Sequence, residues 1–129
     1  MKNLNKLYWI KQEITQIEMQ IKEMSILSAN IMSDMPKGKK VTSPVEQFYD
    51  RLEALVTKLH LKLDEYVRER ERIEEYIENI DDAEIRVLAR KRFIENKDFQ
   101  TIGNETFMHR TAASKKLKKY IEKRKIGNE

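Results

Sequence analysis

The sequence contains no cysteine, and only three glycines and two prolines interrupt its 129 residues. Without cysteine the protein has no disulfide framework, no thiolate metal site and no cysteine nucleophile. The two histidines, His60 and His109, lie in separate segments without a cluster of further ligands, so we expect neither a metal ion nor a cofactor. No segment alternates with a period of two residues, as a half-buried strand would, and this indicates an all-α fold.

Long apolar runs are missing as well. No run approaches the roughly 18 residues needed to span a bilayer, and no signal-peptide pattern opens the sequence. We therefore expect a cytoplasmic protein without a membrane partner. The sequence also lacks a nucleophile constellation and a glycine-rich phosphate loop, so an enzyme is the least favoured class of function.

Charged residues, in contrast, are abundant and unevenly distributed. They make up 37% of the chain, whose net charge is +4. Residues 1–42 carry 7 basic and 4 acidic side chains, residues 43–82 carry 6 and 12, and residues 83–129 carry 13 and 6. The positive charge is concentrated at the C-terminal end, where its field would attract phosphate groups.

The first long helix is predicted from about Asn3 to Ser33. Its apolar residues recur in steps of three and four, and Ser28 is the only polar member of this heptad seam, which comprises Leu7, Ile10, Ile14, Ile17, Ile21, Met24 and Ile31. Such a helix needs a partner helix, either from this chain or from a second one. The segment 34–44, DMPKGKKVTSP, contains both prolines and is interpreted as a surface connection.

The second long helix is predicted to begin at Pro44 and to end near Asn79. Ser43 suits the N-cap, Pro44 the first helical position, and Glu46 completes a capping box. The first half of the helix carries an apolar stripe broad enough to face two partners, formed by Val45, Phe48, Tyr49, Leu52, Leu55, Val56, Leu59, Leu63 and Tyr66.

Together the two helices are expected to form an antiparallel, coiled-coil-like hairpin over residues 1–80. Tyr8, Trp9, Tyr49 and Val56 flank the seams and would remain exposed in such a hairpin, which favours self-association, most simply as a homodimer. Parallel pairing of the first helix with that of a second subunit is the alternative.

Residues 81–126 are predicted to form a helix-turn-helix domain. A third helix from Ala83 to about Glu95, capped by Asp81 or Asp82, precedes a short helix that opens at Asp98. The chain is then expected to break over residues 103–108.

A lysine-rich helix is predicted to start near His109. Ala113, Leu117 and Ile121 recur every four residues and define its buried face. The opposite face is predicted to contact the phosphates and base edges of double-stranded DNA through His109, Arg110, Thr111, Ser114, Lys115, Lys118 and Lys119. The alternative is a solvated helix with no partner.

Four short elements in this region are characteristic as a set. Leu88 to Phe93 form an L-x-x-R-[YF] element with one extra residue, and an acidic residue precedes an aromatic one at 98–99. An Ile-Gly pair follows at 102–103, and His-Arg-Thr opens the last helix at 109–111. The run from Ile80 to Ile121 thereby resembles the C-terminal domain of phage transcriptional regulators of the ArpU and RinA type, which is similar to region four of bacterial sigma factors. The resemblance implies a phage-encoded regulator that binds DNA near promoters, with RNA polymerase as a further candidate partner.

The sequence departs from this pattern at two places. Thr106 stands where the family has an apolar packing residue, and we expect Phe107 to substitute for it. Ala112 and Ala113 replace a larger β-branched residue, so we expect the last helix to lie closer to its support.

Two other classes of function stay open beside a transcriptional regulator. Small terminase-like packaging proteins also join helix-turn-helix units to oligomerising helices. A protein-interaction or inhibitor module could use the basic helix to bind an acidic partner. A dimer suits a regulator and a large ring suits packaging, while DNA binding at several salt concentrations separates both from an interaction module.

Overall fold

The fold is all-α, as predicted: the computed structural model describes residues 4–34 and 43–127, and every regular element in these ranges is helical. No helix in these ranges is long and apolar enough to cross a membrane. The elements are α1 (Lys6–Asp34), α2 (Ser43–Glu78), α3 (Ala83–Ala89), which continues directly into a π-helical turn (Arg90–Ile94), α4 (Phe99–Thr106) and α5 (Arg110–Gly127).

The predicted helix boundaries agree with the structure to within about three residues, with one exception. The chain does not break at Gly103, because α4 continues through it to Thr106, and the turn before α5 is only three residues long. Gly103 is buried within α4 instead of ending it. Most of the predicted connection at 34–44, together with the capping side chain of Ser43, lies outside the described residues.

Packing divides the chain into two compact units: residues 10–66 form one, and residues up to Trp9 together with those from Val67 onward form the other. In the first unit α1 and α2 run antiparallel. Glu13 Oε2 lies 3.3 Å from Lys62 Nζ, so an early residue of α1 faces a late one of α2. Further along α1, Met24 lines the same groove as Leu55, which lies earlier in α2. The predicted hairpin is confirmed over this unit.

The second unit, called here the C-terminal unit, has a core that draws on both ends of the sequence. Its largest fully buried side chains are Leu7, Ile73, Ile77, Ile80, Leu88, Ile102 and Leu117. Glu69 is buried as well, and its carboxylate forms an ion pair with Arg72 and lies 3.9 Å from Lys6 Nζ. The sequence periodicity suggested a division near residue 80. The structure instead groups the last turns of α2 with the C-terminal helices, because its isoleucines fill their core.

The π-helical turn that follows α3 adjusts the spacing between two core residues. Its backbone hydrogen bonds span five residues instead of four, as where Glu95 N–H donates to Arg90 O at 3.0 Å. Leu88 and Phe93, five positions apart, are both buried as a result. Arg90 also anchors the turn to α2 through ion pairs with Glu74 and Glu78.

Candidate nucleic-acid interface

The start of α4 is fixed by a carboxylate cap and a cation–π contact. Asp98 precedes the helix in an extended conformation, and its side chain accepts a hydrogen bond from Thr101 N–H at 2.8 Å. This backbone hydrogen bond lowers the pKa of Asp98. The Arg92 guanidinium lies 4.7 Å from the centre of the Phe99 ring and donates to Lys97 O at 3.1 Å. These contacts tie α4 to the π-helical turn.

A short turn brings α4 and α5 into backbone contact. Phe107 adopts a left-handed conformation, with φ 57° and ψ 39°, and its N–H donates to Gly103 O. Met108 N–H donates to the same oxygen at 2.9 Å. A Cβ atom at Gly103 would lie 2.5 Å from Met108 O and 3.1 Å from Arg110 N. Only glycine therefore allows α5 to begin so close to α4.

The start of α5 is capped by an imidazole. Thr111 N–H donates to His109 Nδ1 at 3.2 Å, and Ala113 N–H donates to His109 O at 3.0 Å. A neutral imidazole that accepts at Nδ1 carries its hydrogen on Nε2. His109 was predicted only as a DNA contact, and the capping role is an additional finding. The exposed ring can still donate from Nε2 to an external acceptor.

The inner face of α5 is held by apolar and cationic contacts. Ala113 and Leu117 are fully buried, as predicted, and Ile121 is half-buried. The Arg124 guanidinium lies 4.4 Å from the centre of the Tyr76 ring and donates to Tyr76 O at 3.2 Å. Burial raises the pKa of Tyr76, which keeps its hydroxyl neutral. Lys116 forms an ion pair with Glu84 of α3. These two basic residues therefore attach α5 to the rest of the unit.

The outer face of α5 carries the remaining lysines of its first three turns. Helix periodicity places Thr111, Lys115, Lys118 and Lys119 on the side opposite the buried residues, and all four are exposed. We call these four residues the outer stripe. Within residues 4–34 and 43–127 its three lysines have neither an acidic partner nor a hydrogen bond. Glu122 is the next residue along this face, and the exposed Lys123 lies one turn beyond Lys119.

Two lysines elsewhere in the unit share one carboxylate. Lys91 and Lys97 both bind the carboxylate of Glu105, at 3.0 and 2.8 Å, and these contacts lower the pKa of Glu105 and raise that of Lys97. The lysines of the outer stripe, in contrast, have no acidic partner in the described part of the chain.

Besides His109, two predicted DNA contacts lie off the outer stripe. Arg110 precedes Ala113 by three residues and Leu117 by seven, so its helical phase is that of the buried face. It is exposed because α5 begins there. Ser114 precedes Leu117 by three residues and is half-buried. The structure thus divides the seven predicted residues into a cap, an inner pair and the outer stripe.

The expectation that Phe107 substitutes for an apolar packing residue is wrong. Its side chain is 97% exposed, because the left-handed turn directs it away from the core. Thr106 occupies the half-buried position itself, and its hydroxyl donates to Ile102 O at 2.7 Å, which satisfies the polar hydrogen within α4. Ala112 is exposed, so only Ala113 can bring α5 closer to its support.

A metal site needs several side chains that can act as ligands. Within residues 4–34 and 43–127, no group of acidic and histidine side chains could hold a metal ion. No protein-family model matches the chain, and neither a curated protein nor a solved structure is significantly similar to it. The resemblance to ArpU- and RinA-type regulators stays a prediction that rests on the residues at 80–121.

Proposed function

We propose that the protein is a DNA-binding transcriptional regulator that places the outer stripe of α5 in the major groove of double-stranded DNA. One observation carries the proposal: Lys115, Lys118 and Lys119 share a face and lack acidic partners in the described part of the chain, whereas Lys116 and Arg124 are engaged with their own unit. An α-helix fits the major groove, and cations on its outer face lie within reach of the phosphates at the groove's edges.

The arrangement of α4 and α5 supports this use of the outer stripe. Helix-turn-helix proteins present their second helix to the groove after a short turn that often contains glycine. Here Gly103 permits the close approach, and a three-residue turn follows α4. The single extra residue in the L-x-x-R-[YF] element coincides with the π-helical turn, which keeps Leu88 and Phe93 in the core despite the altered spacing. The phage-type regulator, with RNA polymerase as a possible second partner, rests on that resemblance.

Self-association through the hairpin is the second part of the proposal. Tyr49, Val56 and Leu63 repeat at intervals of seven residues along α2, and all three side chains are exposed. Beside them, the seam residues of α2 are only half-buried by α1. Residues 10–66 carry 8 basic and 9 acidic side chains, so charge repulsion does not oppose the pairing of two hairpins. A homodimer would present two α5 helices to paired half-sites.

The salt dependence of DNA binding tests the proposal. The affinity of the wild type for random duplexes should fall steeply as salt is raised, because bound lysines release condensed counterions. The variants Lys118→Ala and Lys119→Ala should each weaken binding to all duplexes and reduce the slope of log affinity against log salt by about 0.9. Lys22→Ala, which removes an exposed lysine from α1, serves as the matched control and should leave the slope unchanged.

Two results would overturn the proposal. Absence of binding to any duplex at low salt would exclude DNA as the ligand and would favour an acidic protein partner. Wild-type slopes for both α5 variants would show that another surface binds the DNA. The native mass of the protein separates the regulator from a packaging role, for which a large ring is expected.

A further inference from the structure

Phe107 combines two features that are unfavourable for a phenylalanine. Its phenyl ring is 97% exposed to solvent, and its backbone is left-handed, with φ 57°. Residues with a side chain rarely adopt this conformation, and glycine or asparagine is the usual occupant at the end of a helix. Strained residues of this kind are concentrated at functional sites, so this side chain is a candidate for contact with a partner.

The surroundings of Phe107 favour a nucleic acid over a protein as that partner. Docking surfaces for proteins are contiguous apolar patches. Among residues 83–124, the exposed large apolar residues are Phe107 and Val87, and Val87 belongs to α3. Its neighbours on the C-terminal side include the exposed polar residues His109 and Arg110. An isolated aromatic ring beside the exposed cation Arg110 matches the mixed apolar and charged surface of DNA.

The turn also places Phe107 at the end of α5 that reads bases in helix-turn-helix proteins. Phe107 precedes Thr111, the first residue of the outer stripe, by four positions, so the two Cα atoms lie within roughly 14 Å of each other. Its backbone is fixed because both its own N–H and that of Met108 donate to Gly103 O. The ring therefore projects from a defined point beside the N-terminal end of the helix.

We propose that Phe107 is a specificity-determining residue that packs its ring against the C5-methyl group of a thymine in the major groove. The inference rests on the proposed DNA binding by α5. The thymine methyl is the apolar group that the bases present in this groove, and phenylalanine is among the side chains that contact it. Phe107 would thus add a thymine preference beside the bases contacted by the start of α5.

A double substitution, in the protein and in the DNA, tests this contact. The probes are the duplexes that the wild type selects from a random library, with each thymine replaced singly by deoxyuridine, which lacks only the methyl group. One replacement should weaken wild-type binding about fourfold, the value of one buried methyl-sized group. Phe107→Ala should bind the thymine duplex less tightly than the wild type and should no longer distinguish it from the deoxyuridine duplex.

Two further variants guard against an effect of folding. Phe107→Leu keeps an apolar side chain and should retain part of the discrimination, while Phe107→Asn, which tolerates the left-handed backbone, should behave like Phe107→Ala. Thermal unfolding should show all three variants folded. Wild-type affinity of Phe107→Ala, or undiminished discrimination between thymine and deoxyuridine, would overturn the inference. If the wild type bound no duplex, the proposed function itself would fail instead.

Discussion

At Gly103 the usual effect of replacing a helical glycine should be reversed. In an open helical site the change from glycine to alanine stabilises a protein by about 0.5–1 kcal/mol. Here the added Cβ would lie 2.5 Å from Met108 O and 3.1 Å from Arg110 N, and neither backbone atom can rotate away. We expect Gly103→Ala to lower the free energy of unfolding by about 1–3 kcal/mol, measured by urea denaturation.

The neighbouring position provides the control for this effect. Asn104 is exposed on α4, so Asn104→Ala should change the free energy of unfolding by no more than about 0.5 kcal/mol. A Gly103→Ala variant as stable as the wild type, or more stable, would show that α4 and α5 approach each other less closely.

Asp98 gives the stability of the C-terminal unit a dependence on pH. The Thr101 N–H holds the pKa of this carboxyl below its ordinary value of 3.8. Because the folded pKa is the lower one, the contribution of Asp98 is fully present above 3.8 and is lost as the pH falls through the folded value. Asp98→Asn keeps a capping side chain that does not titrate. Its stability should therefore fall less on acidification than that of the wild type.

This acid effect is checked by denaturation from neutral to strongly acidic pH. Asp50→Asn, which removes an exposed carboxylate from the first part of α2, is the matched control and should follow the wild-type profile. Identical profiles for Asp98→Asn and the wild type would contradict the capping role.

At single positions, the sequence predicted burial better than it predicted turn geometry. Ala113 and Leu117 were placed in the core by their spacing, and both are fully buried. Phe107 was misplaced because an apolar residue in a turn was expected to pack inward. Its exposure follows from the left-handed backbone, and the sequence preference for that conformation points to glycine or asparagine instead.

Among the helices, α5 has two faces, one that packs against the unit and one that is exposed. Its inner side attaches to the unit and its outer stripe is exposed. Arg110 has the phase of the inner side but is exposed, because α5 begins there. A guanidinium at this end can pair bidentately with a guanine edge. Arg110→Ala should therefore weaken binding to the selected site by about 1–3 kcal/mol and relax the preference at one base pair.

The conservative variant distinguishes recognition from charge at this position. Arg110→Lys keeps the positive charge but loses the planar pair of donors, so it should retain the salt slope and lose the base preference. Binding measurements on duplexes substituted at each position check both properties. An unchanged base preference in Arg110→Ala would show that the Arg110 side chain contacts water and no base.

Helix ends were predictable from caps and prolines, but the form of the third helix was not. Its N-terminal cap, Asp82, accepts a hydrogen bond from Glu84 N–H at 2.9 Å, which a sequence can indicate directly. The π-helical turn forms where a backbone N–H donates to the carbonyl oxygen five residues back instead of the one four residues back. Packing of Leu88 and Phe93 in one core decides between these two bonds, and such packing is not visible in local sequence.

At the scale of the whole molecule, the exposed stripe of α2 should hold two copies together. Val56 lies in the middle of the series Tyr49, Val56 and Leu63. A glutamate there would place a charge in the apolar interface, where desolvation is unfavourable. We expect the wild type to sediment as a dimer at tens of micromolar and Val56→Glu as a monomer.

A charge added beside the stripe provides the comparison. Thr57 is the next residue of α2 and is exposed, so Thr57→Glu adds the same charge without entering the series. This variant should remain dimeric. A monomeric wild type would contradict self-association through α2.

The grouping of the chain into units could be predicted only in part. Heptad spacing indicated the hairpin, and residues 10–66 confirm it. The same spacing continues through Ile73 and Ile77, so it could not reveal that these residues change partners and enter the core of the C-terminal unit. Periodicity defines a buried face but does not identify the element that covers it.

Because the C-terminal unit takes its core from both ends of the chain, the order of synthesis limits when it can fold. Leu4 and Leu7 leave the ribosome before the hairpin does, whereas Ile102 and Leu117, which belong to the same unit, follow only after the whole hairpin has been made. Contacts of such high sequence separation close late in folding. A nascent chain can therefore form its hairpin early, but its basic helix acquires a finished support only after the last helices have been made.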